Sequence, residues 1–161
     1  QDPGNLGNLF RTALAAEIDM LWIASGVDPL NQKVLRSSAG SVLHLSYERY
    51  GNVEKVAVDL LAEKLKTAAD LGYQVIATSK PNINNFELII PYWELDWTKP
   101  TVLVLGNEGS GMHPLLEKSC TCTVTLPHSP LVESLNVASA AVPLLLERKR
   151  TKMDSNIRKQ L

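Results

Sequence analysis

The sequence has little with which to cross-link itself, cross a membrane or hold a metal. It contains two cysteines in 161 residues, Cys120 and Cys122. Two are too few for a disulfide framework or a zinc site, and a reducing cytosol is the default reading. No apolar run approaches the roughly 20 residues of a membrane span. The amino-terminal residues do not read as a signal peptide, because Gln1 leads at once into polar, glycine-rich sequence. The net charge of −1 argues for no particular partner. No internal repeat and no second domain is visible. With 45% apolar and 20% charged residues the chain reads as globular, not disordered. Its length fits one domain that buries a core unaided.

The charge is unevenly spread. Residues 148–161 carry six Lys/Arg against one acid, Asp154, a local +5, so the total of −1 leaves −6 for the rest. The expected division is therefore a domain over residues 1–150 and a basic tail over 151–161. Such a tail is either a phosphate contact or a solvated helix end.

Helical and strand-like segments alternate. Apolar spacing predicts helices over residues 5–16, 30–38, 53–68, 113–119 and 134–148. Strand-like runs fall at 20–24, 42–47, 73–78, 101–105 and 121–126. Residues 79–100, rich in Asn, Pro and aromatics, are the least regular. The alternation predicts an α/β fold with a doubly wound, mostly parallel sheet. In such sheets ligands bind beyond the carboxyl ends of the strands, where this chain has its glycines and polar clusters.

Three clusters carry candidate chemistry. The first is Asp2-Pro3-Gly4-Asn5-Leu6-Gly7-Asn8-Leu9-Phe10-Arg11-Thr12. Asn5 is a candidate helix N-cap. Arg11 follows on the first turns, where a guanidinium would hold a phosphate or a developing oxyanion. The second is Gly106-Asn107-Glu108-Gly109-Ser110-Gly111, directly after a strand. It lacks the lysine of a phosphate loop, and its carboxylate suits a neutral or cationic ligand. The third runs from Leu126-Pro127 to Glu133-Ser134-Leu135-Asn136-Val137-Ala138. Ser134 is the expected cap of the last helix, with Asn136 at the same end. Taken singly, each cluster also fits a capped surface helix, a tight turn or a capped core helix.

Together and in this order the three resemble the motifs of the SpoU/TrmH RNA methyltransferases of the SPOUT superfamily: DP-x-N-x-G-x-x-x-R-T-A, a strand followed by G-N-E-G-x-G, and I-P-x followed by S-L-N-V-x-x-A-x-A. Arg36-Ser37-Ser38-Ala39-Gly40 is similar to that family's R-x-S-A-G stretch. The resemblance spans residues 2–148 and implies a deep C-terminal trefoil knot, which no periodicity argument would propose. It implies S-adenosylmethionine as cofactor, RNA (tRNA or rRNA) as substrate, no metal, and a homodimer. Cofactor-side positions would be Thr78, Leu105, Gly106, Asn107, Gly109, Leu126, Leu135, Asn136 and Ala138. The catalytic group would be Arg11 with Asn5, Glu108, Ser134 and Asn136.

The implied reaction moves a methyl group to a ribose 2′-oxygen. An arginine side chain gives up its proton too reluctantly to be a good base, so Arg11 is read as stabilising the forming alkoxide while the proton passes to an RNA phosphate. Asn5 and Glu108 would orient Arg11 and the ribose, and Ser134 and Asn136 would fix the nucleotide or the loop. The dimer face is expected on Leu6, Leu9, Phe10 and Ala13 of the first helix and Ala138, Ala141, Val142 and Leu145 of the last.

Other residues have plainer readings. Cys120 and Cys122, two apart on a predicted strand, would face one side and pack in the core. His44, in a strand, and His113, at a helix start, read as structural. His128 lies in the third-cluster loop and is a weaker site candidate. Trp93 and Trp97 read as core or interface before base stacking.

The chain also departs from the family. Glu17 stands where relatives often have glycine, and His128-Ser129-Pro130 differs from the usual loop. Pro143 lies inside the last helix, where it should kink it. Relatives carry a strand before the first motif, and many carry an N-terminal RNA-binding domain, so the chain is expected to be a piece of a longer protein. Two other functions compete: a non-catalytic RNA-binding module of the same fold, and a generic nucleotide-binding domain, which the missing phosphate-loop lysine disfavours.

Overall fold

A computed structural model describes residues 2–79, 89–107 and 111–158, with side chains through residue 154. Six strands and five helices alternate along the described chain. They are α1 (Pro3–Ala15), β1 (Met20–Ile23), α2 (Gln32–Ser37), β2 (Ser46–Arg49), α3 (Glu54–Asp70), β3 (Gln74–Ser79), β4 (Ile89–Pro91), β5 (Thr101–Val104), α4 (Pro114–Lys118), β6 (Cys122–Thr125) and α5 (Val137–Arg158). All strand pairs are parallel. β1 pairs with β2, and a second sheet has the order β4-β6-β3-β5.

Helices cover both faces, as the alternation predicts. On one face Phe10 and Ala13 of α1 and Ala141 and Leu145 of α5 pack with Leu21, Ile23, Leu103 and Leu105. Leu144 of α5 meets Ile76 and Val124 on that side. On the other face Val58, Leu61 and Leu65 of α3 and Leu116 of α4 pack with Trp22, Val75, Val102 and Val104. Side chains alternate along a strand, so β1 and β5 each feed both layers. Yet β1 pairs with β2 alone and β5 with β3 alone among the described residues.

The cap of α1 is Asp2, three residues before the predicted Asn5. The Asp2 carboxylate accepts the Asn5 N–H at 2.8 Å, and Pro3 occupies the first helical position. Proline has no N–H to leave unpaired there. Asn5 is thus inside the helix. Gly7 lets α1 approach α2: a Cβ on it would lie 1.9 Å from Ser37 Oγ and 2.8 Å from the Ser38 backbone N. The helix ends in a Schellman motif, with Ile18 N–H on Ala13 O and Glu17 N–H on Leu14 O. This places Glu17 at a φ of 56°, a conformation that favours glycine. Glu17 is held by an ion pair with Lys149 and by Lys152 at 3.8 Å. The Lys149 contact draws its carboxyl below the usual range.

Four further expectations are corrected. Residues 42–47 are not a strand: Ser41–Leu43 form a 3-10 turn, and β2 begins at Ser46. The buried Val42 and Leu45 are spaced three apart and face the core from that turn. His44 sits exposed at its end. Cys120 is not on a strand either. It closes the last turn of α4, where its N–H donates to Glu117 O, so Cys120 and Cys122 pack into different clusters. Burial pushes the Cys120 thiol up to about 11 and raises that of Cys122. The last helix starts at Val137, not Ser134, and passes residue 150 without a break. Its basic end is partly neutralised, since Arg150 pairs with Glu147 and Asp154 at 2.6 Å each.

Of the expected dimer stripe on α1, Phe10 and Ala13 are core, whereas Leu6 and Leu9 are only partly buried against it. Phe10 and Ala13 are fully buried, as is Ala141 of α5, while Ala138 and Leu145 are nearly so. The exposed apolar residues of α5 are Val142, Leu146 and Met153. Offsets of four and eleven residues put these three on one side of the helix. Trp97 is core, its indole N–H donating to Tyr92 O at 2.7 Å, whereas Trp93 is exposed.

Candidate active site

The candidate site lies along the carboxyl ends of three adjacent strands. β3 ends in Thr78 and Ser79, β5 runs out into Leu105-Gly106, and β6 into Leu126-Pro127. In register Ala77 faces Val104, and Ser79 faces Thr125. The expected cofactor-side residues Thr78, Leu105, Gly106, Asn107 and Leu126 thus fall on one edge. The Thr78 hydroxyl donates to Val104 O at 3.3 Å, tying β3 to β5 just before the glycine loop.

That loop closes on its own backbone. Asn107 and Gly111 exchange two hydrogen bonds, of 2.8 and 2.9 Å. The closure brings a Cβ position on Gly106 to 2.7 Å from Gly111 C and Met112 N, and Gly111 has a φ of 72°. Neither position tolerates a side chain without rearrangement. Glu108 and Gly109 lie outside the described residues. The third-motif loop is held by His128, whose Nδ1 is 2.7 Å from Leu126 O. A ring N–H there directs Nε2 to accept.

The first and third clusters meet directly. The Asn136 amide NH2 donates to Asn5 Oδ1 at 2.9 Å, across 131 residues of sequence. Asn136 Oδ1 also accepts from the backbone N–H groups of Ala138 and Ser139, at 3.0 and 3.1 Å. Asn136, not Ser134, therefore caps α5. Ser134 is exposed and makes no hydrogen bond with the described residues. Leu135 is partly exposed and Ala138 buried. Arg11 is exposed on α1 and touches none of the other described candidates by hydrogen bond or ion pair. Asn136→Ala is expected to cost about 1–2 kcal/mol of stability, the usual worth of a cap. Ser134→Ala should cost less than about 0.5 kcal/mol. Denaturant titration of both variants checks this assignment, and equal losses would contradict it.

Sequence reasoning missed Asp2 and Thr125. The Asp-Pro pair was a start signal for α1, but Asn5 drew attention as a motif residue. Thr125 gave no signal beyond its place before Leu126-Pro127. An open groove lined by Leu30, Leu43, His44 and Tyr47 lies at the amino end of β2 and holds no motif residue. No group of three metal-ligating side chains gathers among the described residues, nor is any described helix long and apolar enough to cross a membrane.

These features define a parallel α/β domain whose candidate site lies at the carboxyl edge of its sheet, between one helix start and two loops. Residues 1–145 match the SpoU rRNA Methylase family. The chain belongs to that family. It is 41% identical over 152 residues to an uncharacterized tRNA/rRNA methyltransferase of Synechocystis, covering 93% of this chain and 50% of that protein. It is 36% identical over 146 residues to the 23S rRNA (guanosine(2553)-2′-O)-methyltransferase RlmP of Bacillus subtilis, covering 90% and 53%. The SpoU methyltransferase AviRb of Streptomyces viridochromogenes, solved in complex with AdoMet, superposes with a TM-score of 0.76 at 29% identity, covering 96% of this chain and 58% of that one. The chain spans about half the length of the curated relatives it matches.

Proposed function

We propose that the chain is the catalytic domain of an S-adenosylmethionine-dependent RNA 2′-O-ribose methyltransferase that works in the cytoplasm as a homodimer. The observation that carries this reading is the Asn136–Asn5 hydrogen bond, which joins the first and third motifs. The 2′-O position is supported by the name of the B. subtilis relative, and cofactor use by the AdoMet complex of AviRb.

The site's chemistry fits the cofactor. Leu105, Leu126 and Leu135 offer apolar surface, and the closed glycine loop offers backbone groups, a combination suited to an adenosine and a thioether. Thr78, Leu105 to Asn107, Gly109, Leu126, Leu135, Asn136 and Ala138 would hold it. When bound, it supplies a methyl group already activated on a sulfonium. The protein then has to place the ribose 2′-oxygen in line and stabilise the charge that grows there. Arg11 is suited to the second task, with five N–H donors and a charge that persists at any working pH. Asn5 and Glu108 would orient it, and Ser134 would contact the nucleotide. The 2′-hydroxyl proton would leave to an RNA phosphate as the O–C bond forms and the S–C bond breaks, with S-adenosylhomocysteine leaving as a neutral thioether.

Two structural proposals accompany this. A strand preceding Asp2 would lie between β1 and β5, whose side chains enter the same two helical layers. Strand, α1 and β1 would then form a right-handed crossover. The C-terminal part, from β5 to α5, would thread the trefoil knot.

Calorimetry of the full-length protein with S-adenosylhomocysteine tests the cofactor reading. The wild type should bind it, and Gly106→Ala, which forces the closed loop open, should lower affinity at least tenfold, about 1.4 kcal/mol. A folded wild-type protein that binds neither cofactor nor product at millimolar concentration would sink the reading.

A further inference from the structure

Residue 125 is the last position of β6, opposite Ser79 on β3 and Pro91 on β4. Its successor is Leu126, the start of the third-motif loop. Thr125 is 7% exposed, and its hydroxyl oxygen is sealed from solvent without a hydrogen-bond partner among the described residues. Two other buried hydroxyls among the described residues are satisfied: Ser38 donates to Leu35 O at 3.1 Å and Ser119 to Leu115 O at 2.9 Å. The one other sealed orphan atom among the described residues, Arg49 Nε, belongs to a guanidinium anchored on Gly26 O at 2.6 Å in the other sheet. Burying a hydroxyl without a partner costs stability, and valine would fill the same volume at no such cost. An orphan of this kind calls for an explanation, and this one sits on the site's edge between the ends of β3 and β4.

We infer that the Thr125 hydroxyl is a further cofactor-binding group, which gains its missing hydrogen bond from the adenosine part of S-adenosylmethionine. The inference rests on the proposed function and adds a residue to it. A neutral, sealed hydroxyl is matched to a neutral partner such as a base nitrogen or ribose hydroxyl. The charged amino-acid end of the cofactor requires charged or solvated partners.

The test compares full-length wild type, Thr125→Val and Thr125→Ser. Calorimetry reads affinity for S-adenosylhomocysteine and for 5′-methylthioadenosine, which lacks the amino-acid end. Thermal unfolding reads the ligand-free stability. Thr125→Val should weaken both ligands by the same factor, roughly three- to tenfold, without lowering the ligand-free melting temperature. Thr125→Ser should bind as the wild type does. Unchanged affinity in Thr125→Val would overturn the inference while leaving the cofactor reading intact. So would a ligand-free form that melts lower or fails to fold, because the hydroxyl would then have a partner within the protein. A loss confined to S-adenosylhomocysteine would contradict the assignment to adenosine. Failure of the wild type to bind either ligand would remove the functional reading and this inference with it.

Discussion

Arg11→Ala is expected to lower methyl transfer by at least ~10²–10³-fold, the cost of removing one preorganised donor from a developing oxyanion, and to leave cofactor affinity essentially unchanged. Arg11 is exposed and holds nothing in the described fold together, so its removal should leave stability within about 0.5 kcal/mol. It stands six residues along α1 from Asn5, about 9 Å of helix rise. It is therefore well along the helix from the Asn5–Asn136 contact. Single-turnover assays and calorimetry on the same preparation separate the two effects. Arg11→Lys should recover only part of the rate, because an ammonium lacks the planar fork. Wild-type turnover in Arg11→Ala would remove it from the chemistry.

The second large effect is recovery of activity on mixing two dead variants. Arg11 makes no hydrogen bond or ion pair with the described candidates of its own chain, whereas Asn5 and Asn136 are already joined there. An arginine supplied across a two-fold interface would complete the partner's site. Val142, Leu146 and Met153 give α5 an exposed apolar stripe for such a contact. Arg11→Ala and Glu108→Ala homodimers should each be inactive. After mixed refolding, half of randomly paired dimers carry one intact site, so about a quarter of wild-type activity should return. No recovery in verified heterodimers, or full activity in a sedimenting monomer, would contradict shared sites.

Much of the fold was legible because it rests on local pattern. The long amphipathic run of α3 and the apolar runs of β1, β3, β5 and β6 were placed to within a few residues. The errors share a cause: a local signal outcompeted by a neighbouring one. Val42 and Leu45 read as strand residues until Gly40 and the 3-10 turn placed them on the core at helical spacing. Asn5 and Ser134 were plausible caps, but Asp2 and Asn136 stand where the unpaired N–H groups are. The two cysteines looked like strand neighbours because nothing in the sequence marks where the last turn of α4 ends. Phe10 and Ala13 read with Leu6 and Leu9 as one stripe because composition does not distinguish a face covered by the same chain from one left partly open. Within the site, the motif order was legible, but the contact that joins Asn5 to Asn136 is a product of topology and has no periodic signature. Thr125 was illegible for a further reason: a missing partner exists only in three dimensions.

The most direct measurement incubates the full-length protein with methyl-labelled S-adenosylmethionine and total RNA, then maps the labelled nucleotide. The account predicts label on a ribose 2′-oxygen at a defined position, read as a site resistant to alkaline cleavage, and none with Arg11→Ala. Label on a base, or cofactor binding with no transfer to any RNA, would contradict it.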